Sequence, residues 1–352
     1  MNVSENSAFV RTELRPVCRV CGTPGVTVYD NLQDRLFGVA EIWSMKKCEN
    51  SQCGAHWLDP APIEEDLGKL YTSYYTHIDL ANQGTPGALR RFKRRVAAAY
   101  LFRRYRVGNP PTSFWDNVGA ALLRLNPVWC ANLDFSVFYV PLQTGGRLLK
   151  VGCGSGTMLA RMAGYGWDVT GLDFDERAVA NARAKGLEVH HGSLAQQRYS
   201  EHTFDAVVMS HVIEHVAEPE ALLRECLRIL KPGGKLVVVT PNVSGRMHAK
   251  YRKNWLHLDP PRHLFLFSPT ALATLVDKAG YRDVTVSTTV RDAAGLWRAS
   301  RSLAWRGVFD MGRPATGLER IASEIAGLFF GYAHRMSGVG GDELVAVAKR
   351  KD

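Results

Sequence analysis

No uninterrupted run of about 18 apolar residues, the minimum for a bilayer-spanning helix, occurs in the 352-residue chain. No spanning segment is therefore expected. The first residues, MNVSENSAFVRTELRP, lack the basic-then-apolar order of a secretory signal, which points to a cytoplasmic protein. A disulfide scaffold is not expected either. The seven cysteines are odd in number, and Cys18, Cys21, Cys48 and Cys53 crowd near the N-terminus, which suits a reducing compartment and a metal site. Acid is missing from one stretch. Between Leu80 and Trp115 there is no Asp or Glu, while Arg90, Arg91, Lys93, Arg94, Arg95, Arg103, Arg104 and Arg106 contribute eight positive charges. Without them the formal charge of +10 falls to +2. The basicity is local, and it does not mark the whole chain as a nucleic-acid binder.

With 46% hydrophobic and 22% charged residues, the chain can bury a core, which excludes wholesale disorder. Its length corresponds to about two domains. Cys18 and Cys21 form a C-x2-C pair followed by Gly22, and Cys48 and Cys53 form a wider pair followed by Gly54. Glycine permits the positive φ of tight turns whose amides face the sulfurs. Four thiolates closing a tetrahedron are the structural zinc arrangement, with no open position for chemistry. VTVYDN and EIWSMKKC between the pairs read as the strands of a zinc ribbon, and His56 is an alternative to one cysteine. Cys130, Cys153 and Cys226 are scattered and read as packed small side chains.

From Arg147 the pattern changes. RLLKV reads as a strand that runs into Gly152-Cys153-Gly154-Ser155-Gly156, a helical segment follows, and WDVTGLDFD is a second strand ending at Asp173. This is strand, glycine loop, helix, strand, acid. Glycines admit a ligand close to the backbone, and the carboxylate can accept from ribose hydroxyls. A dinucleotide fingerprint would place Gly or Ala at position 157, where Thr157 stands.

VGCGSG in this setting resembles motif I of the class I S-adenosylmethionine (SAM) dependent methyltransferases. FDAVVMSHVIEHV and PEALLRECLRILKPGGKLVVVTPN resemble the fourth and fifth strands of the ubiquinone O-methyltransferase-like group, and GYRDVTVSTTV and GDELVAVAKR its closing antiparallel pair. The resemblance implies an α/β, Rossmann-like fold: a seven-stranded, mostly parallel sheet with strands six and seven antiparallel. The chain then divides into the zinc ribbon read from the cysteines over residues 1–61, a helical lid with the basic segment over 62–145 that lies outside the resembling pattern, and the SAM domain over 146–352, interrupted by a helical insertion at 291–340. Carried over, Gly152, Cys153, Gly154 and Gly156 would pass beneath SAM, Asp173 would hold its ribose and Phe174 would lie against adenine. Ser193, Leu194 and Ser210 complete the expected cofactor contacts. Ser193 and Leu194 stand where the family often has an acid. Lys150 stands where an acid usually helps to hold the SAM ammonium; it either points away or weakens the cofactor.

His211-Val212-Ile213-Glu214-His215 matches H-x-x-E-H, but it follows a strand and opens a loop, which argues against the helical metalloprotease motif. In the resembling group a similarly placed acid-x-x-Glu-His has been associated with a divalent cation. A loop brace formed by Glu214 and His215 is the alternative. Asn109-Pro110-Pro111-Thr112 and Asp259-Pro260-Pro261-Arg262 read as turns. Methyl transfer is an in-line displacement that needs positioning, and a hydroxyl acceptor benefits from a base. The candidates for that base are His211, His263 and His257.

The expected activity is O-methylation of a small, glycan-linked or lipid-linked hydroxyl, in polysaccharide, quinone or secondary-metabolite chemistry. An RNA methyltransferase and a non-catalytic binding module are the rivals. Leu89, Phe92, Val96 and Ala99 form one stripe of a basic helix, so Arg90 to Arg106 are either paired internally or face an anionic partner such as a membrane surface or glycan, with nucleic acid the weaker fit. The aromatic insertions read as a lid or a homodimer contact.

Overall fold

The structure is a computed structural model and describes residues 9–71, 87–310 and 312–351. The N-terminal part holds β1 (Thr12–Glu13), β2 (Gly25–Leu32), β3 (Trp43–Cys48), β4 (His56–Leu58) and β5 (Ala61–Pro62). β1 pairs with β5, and β2, β3 and β4 form an antiparallel sheet. Three helices follow: α1 (Ala88–Tyr105), α2 (Phe114–Leu123) and α3 (Pro127–Phe135). Ser113 and Asn126 cap α2 and α3 by accepting backbone N–H groups, and Pro127 opens α3 where no N–H is needed.

The main sheet begins with β6 (Arg147–Val151), then α4 (Thr157–Gly164), β7 (Asp168–Asp173), α5 (Glu176–Arg183), β8 (Glu188–His191), α6 (Leu194–Gln197), β9 (Phe204–Ser210), α7 (Pro219–Ile229) and β10 (Leu230–Pro241). After β10 come α8 (Arg246–Tyr251), β11 (Phe265–Leu266), α9 (Pro269–Lys278), β12 (Arg282–Thr289), α10 (Ala293–Arg306), α11 (Gly317–Ser337) and β13 (Glu343–Lys349). The seven strands lie in the order β12-β13-β10-β9-β6-β7-β8. β6 to β10 are parallel, and β13 runs against both β10 and β12. Strands buried on both faces, such as VVM in β9 and LVVV in β10, read as apolar runs because helices cover them on each side.

This order puts the C-terminal ends of β6, β7, β9 and β10 on one edge, where open α/β sheets bind ligands. The N-terminal sheet is joined to that edge. Its fourth strand is β11, which pairs with β4, and Cys18, Cys48, Trp57, Met209 and Leu275 belong to one apolar core.

Candidate active site

Three glycines with positive φ follow β6: Gly152 (+66°), Gly154 (+54°) and Gly156 (+78°). A Cβ on Gly152 would lie 2.4 Å from Val212, and one on Gly156 2.6 Å from Leu187, but one on Gly154 would meet nothing within 4 Å. The outer glycines therefore permit close packing of protein against protein, while the middle one leaves backbone open to a ligand. Gly154 N donates to Asp173 Oδ2 (2.7 Å) and Asp175 N to Oδ1 (3.0 Å), which fixes the carboxylate at the end of β7. Each oxygen keeps a further lone pair for a sugar hydroxyl. Phe174 is 55% exposed beside it, its ring 5.3 Å from that of Tyr71. The cradle fits SAM: open backbone at Gly154, an acceptor for ribose, and an exposed ring for adenine.

Four other expected residues differ in what they offer. Cys153 is buried, with its sulfur against the Gly154 carbonyl (3.6 Å), and burial pushes its thiol up to about 11, so only its backbone faces the loop. Ser193 Oγ accepts from Gln196 N to cap α6, and the Leu194 side chain is in the core. Ser210 lies half-buried at the end of β9, opposite Val239. Lys150 is buried, donates to the Gly152 carbonyl, and places Nζ 5.4 Å from the Phe138 ring centroid. Burial lowers its pKa. It backs the glycine loop from the protein side.

Across the loop, the end of β9 and the segment between α8 and β11 bring the three candidate bases together. The His211 ring lies 5.5 Å from His257, and His257 lies 6.5 Å from His263. His215 joins them at 4.6 Å from His263. His211, at φ +53°, sits between two carboxylates, Nδ1 at 3.1 Å from Glu214 and Nε2 at 2.8 Å from Glu343. Arg291 pairs with Glu343 and also places Nη2 2.9 Å from His211 Nε2. Burial pulls the His211 pKa down, but the hydrogen bonds and charges of Glu214 and Glu343 outweigh it and carry it up to about 9. His211 is thus an imidazolium at neutral pH. The other rings are neutral: burial, with the charge of His211 nearby, lowers His257 to about 3, and burial lowers His263 and His215 to about 4. His257 Nδ1 is buried with no hydrogen-bond partner among the described residues.

Glu343, Arg291 and Tyr71 were not expected from the sequence. Glu343 is an acid opening an otherwise apolar strand, and that contrast was the available signal. Tyr71 Oη lies 2.8 Å from His215 Nδ1 while its ring meets Phe174, so it spans the gap between the cofactor cradle and the histidine cluster.

Glu214, His215 and His263 place ligand atoms within 4.8 Å of one another. His215 Nδ1 contacts the Arg262 carbonyl (3.0 Å) and His263 Nδ1 the His257 carbonyl (2.7 Å). With each Nδ1–H donating there, both Nε2 lone pairs stay available. Glu214 Oε2 accepts from Thr240 Oγ1 (2.9 Å), and its Oε1 faces His211 Nδ1 at 3.1 Å. The third member of this group is His263 and not His211, which is turned to Glu343.

The second cluster is formed by Cys18, Cys21, Cys48 and Cys53, whose sulfurs all lie within 4.8 Å. Cys18 and Cys53 are 3.8 Å apart, and Cys21 and Cys48 are 3.3 Å apart. Four sulfurs at the usual zinc bond length in a tetrahedron would be about 3.8 Å apart. Gly22 and Gly54 take positive φ, as turns beside the sulfurs require. His56 is not part of the group. Its Nδ1 meets the Gly54 carbonyl and its ring packs on His248.

A family profile described as a methyltransferase domain matches residues 123–286. The ubiquinone biosynthesis O-methyltransferase of Idiomarina loihiensis is 30% identical over 191 residues, 49% of this chain and 76% of that protein. The enzyme of the same name from Xanthomonas oryzae pv. oryzae is 39% identical over 138 residues, 37% of this chain and 56% of that protein. This chain thus spans little more than half the length of the Xanthomonas relative. A solved SAM-dependent methyltransferase from Archaeoglobus fulgidus superposes with a TM-score of 0.42 at 19% identity, over 66% of this chain and 94% of that one. The strand order, the glycine loop with its acid, and a relative matched over three quarters of its length lead to one assignment: the chain belongs to the class I SAM-dependent methyltransferases.

Proposed function

We propose that the chain transfers a methyl group from SAM to a hydroxyl of a small, glycan-linked or lipid-linked acceptor, and that the histidine cluster is where the hydroxyl is received. The observation that carries this reading is the contact between Gly152 and the loop of Val212, which sets the cofactor cradle against the cluster. The relatives are named for O-methylation in ubiquinone biosynthesis, which supports a hydroxyl acceptor. Gly154, Asp173 and Phe174 hold SAM, which supplies an electrophilic methyl carbon. His257 Nδ1, neutral and unpartnered, takes the hydroxyl proton as the new C–O bond forms. A weak base suffices there, because an oxygen that has gained a methyl group before losing its proton is strongly acidic. The His211 imidazolium, fixed by Glu214 and Glu343, orients the acceptor oxygen. Incubation with methyl-labelled SAM and panels of phenols, hydroxylated glycans and polyprenyl phenols tests this. Label on an oxygen supports it, and label only on nitrogen or RNA overturns it.

The four cysteine sulfurs hold one structural zinc in this reading. No position of such a site is left for a reacting ligand, so the ion serves the fold. A second reading concerns Glu214, His215 and His263, whose donor set suits a divalent cation that would lower the pKa of a bound hydroxyl. Metal-free protein that keeps full turnover after chelation would exclude it.

A further inference from the structure

Helix α11 is inverted relative to a surface helix. Ser323, Gly327, Phe330 and Gly331 pack inward, and Gly327 and Gly331 let it approach Ala294 and Val128 closely. The opposite face carries Leu318, Ile321, Ile325, Phe329, Tyr332 and Met336, all exposed, Met336 to 89%. Their spacing forms one apolar stripe along a helix about 30 Å long. The stripe reaches the turn that follows α2, because Tyr332 Oη donates to the Leu125 carbonyl (2.7 Å) and Arg335 to that of Arg124, beside exposed Leu122 and Leu125. It also reaches the basic helix. Lys93 of α1 and Glu324 and Leu328 of α11 line the same cleft of about 380 Å³.

Within α1, Arg95 pairs with Asp116, Arg104 with Asp134, and Arg103 with Asn117. Arg90, Lys93 and Arg94, at its exposed N-terminal end, have no carboxylate partner among the described residues. The surface of α1, α2 and α11 is thus apolar along its centre and positive at its margin. A contiguous apolar patch of this kind marks an interaction site. We propose that this face docks on an anionic lipid surface, with the α11 stripe at the level of the headgroup boundary and the arginines of α1 on the anionic headgroups. Charge selects this occupant over a second copy. Two-fold pairing would bring Lys93, Arg94, Arg124 and Arg335 of both copies into one interface, with Glu324 lining the same cleft as Lys93. No described helix is long and apolar enough to cross a membrane, so the contact is peripheral. The inference stands on these helices and does not depend on which acceptor is methylated.

Co-sedimentation of the full chain with vesicles tests it, using phosphatidylcholine alone and phosphatidylcholine with about one-third phosphatidylglycerol. The expected result is binding to the anionic vesicles only, released by high salt. Ile325→Asp with Phe329→Asp should weaken it at least about tenfold. Arg90→Ala and Arg94→Ala should each weaken it about fivefold. SAM affinity should be unchanged in every variant, which shows that they are folded; Ile325→Gln replaces the double variant if that one fails this control. Equal binding to both vesicle types, or to neither, overturns the proposal. A dimer in sedimentation equilibrium that Ile325→Asp dissociates, without vesicle binding, assigns the face to a second copy and also overturns it.

Discussion

Arg262 and Asp34, 228 residues apart in sequence, join through two hydrogen bonds of 2.8 Å with neither side chain exposed to solvent. Asp259 holds the other side of the guanidinium and the Phe37 ring covers it at 4.4 Å. The carbonyl of Arg262 orients His215, and His263 is the next residue. The N-terminal module therefore fixes the loop from which two of the four histidines take their geometry.

Asp34→Asn should destabilise the protein by about 3–5 kcal/mol, since a buried guanidinium loses half its compensation. Replacing both residues by apolar ones of similar size should cost less than either single change. Urea unfolding of the single and double variants measures this, and additive costs would contradict the pairing.

Metal analysis should find about one zinc per chain. Cys18→Ser with Cys48→Ser should lose it and lower the melting temperature, and SAM affinity should fall less than stability, because the cradle lies on β6 and β7. A fully folded, metal-free native protein would contradict the zinc assignment.

The His211 cluster predicts a pH window. A pKa raised to about 9 gives stability that is complete below the unfolded value of about 6.5 and is lost as pH rises through about 9. Glu214, lowered to about 2 against the pull of burial by His211, adds stability that is present above its unfolded value and lost as pH falls through about 2. His211→Gln should therefore flatten the alkaline limb of a melting-temperature profile. An unchanged alkaline limb would show that the imidazolium is not held as described.

Lys150→Met removes a buried cation and keeps its volume. Stability should change by less than about 1.5 kcal/mol, and calorimetry should show SAM affinity equal or higher, since Nζ meets the Gly152 carbonyl and not the ligand side. A large loss of SAM affinity would place the ammonium in the cofactor site.

Much of this was legible in the sequence because it is local. Glycine loop, strand and Asp173 fall within 22 residues, and the paired cysteines carry their own turn glycines. His211, His257 and His263 could also be singled out, because ionisable residues after apolar strands stand out. Their different surroundings could not. The charge on His211 depends on Glu343, 132 residues away, and the place of His263 depends on Arg262 and Asp34, in a segment that read as a simple turn. Long-range pairing of this kind leaves no periodicity. The acid-free segment was visible at once, but its apolar neighbours on α11 come from the other end of the chain.

The most direct test of the proposed chemistry is methyl transfer from labelled SAM by His257→Ala, with SAM affinity measured on the same sample. Turnover should fall about 10²-fold or more while SAM binds as in the native protein. Native turnover in that variant, or no SAM binding by the native chain, would contradict it.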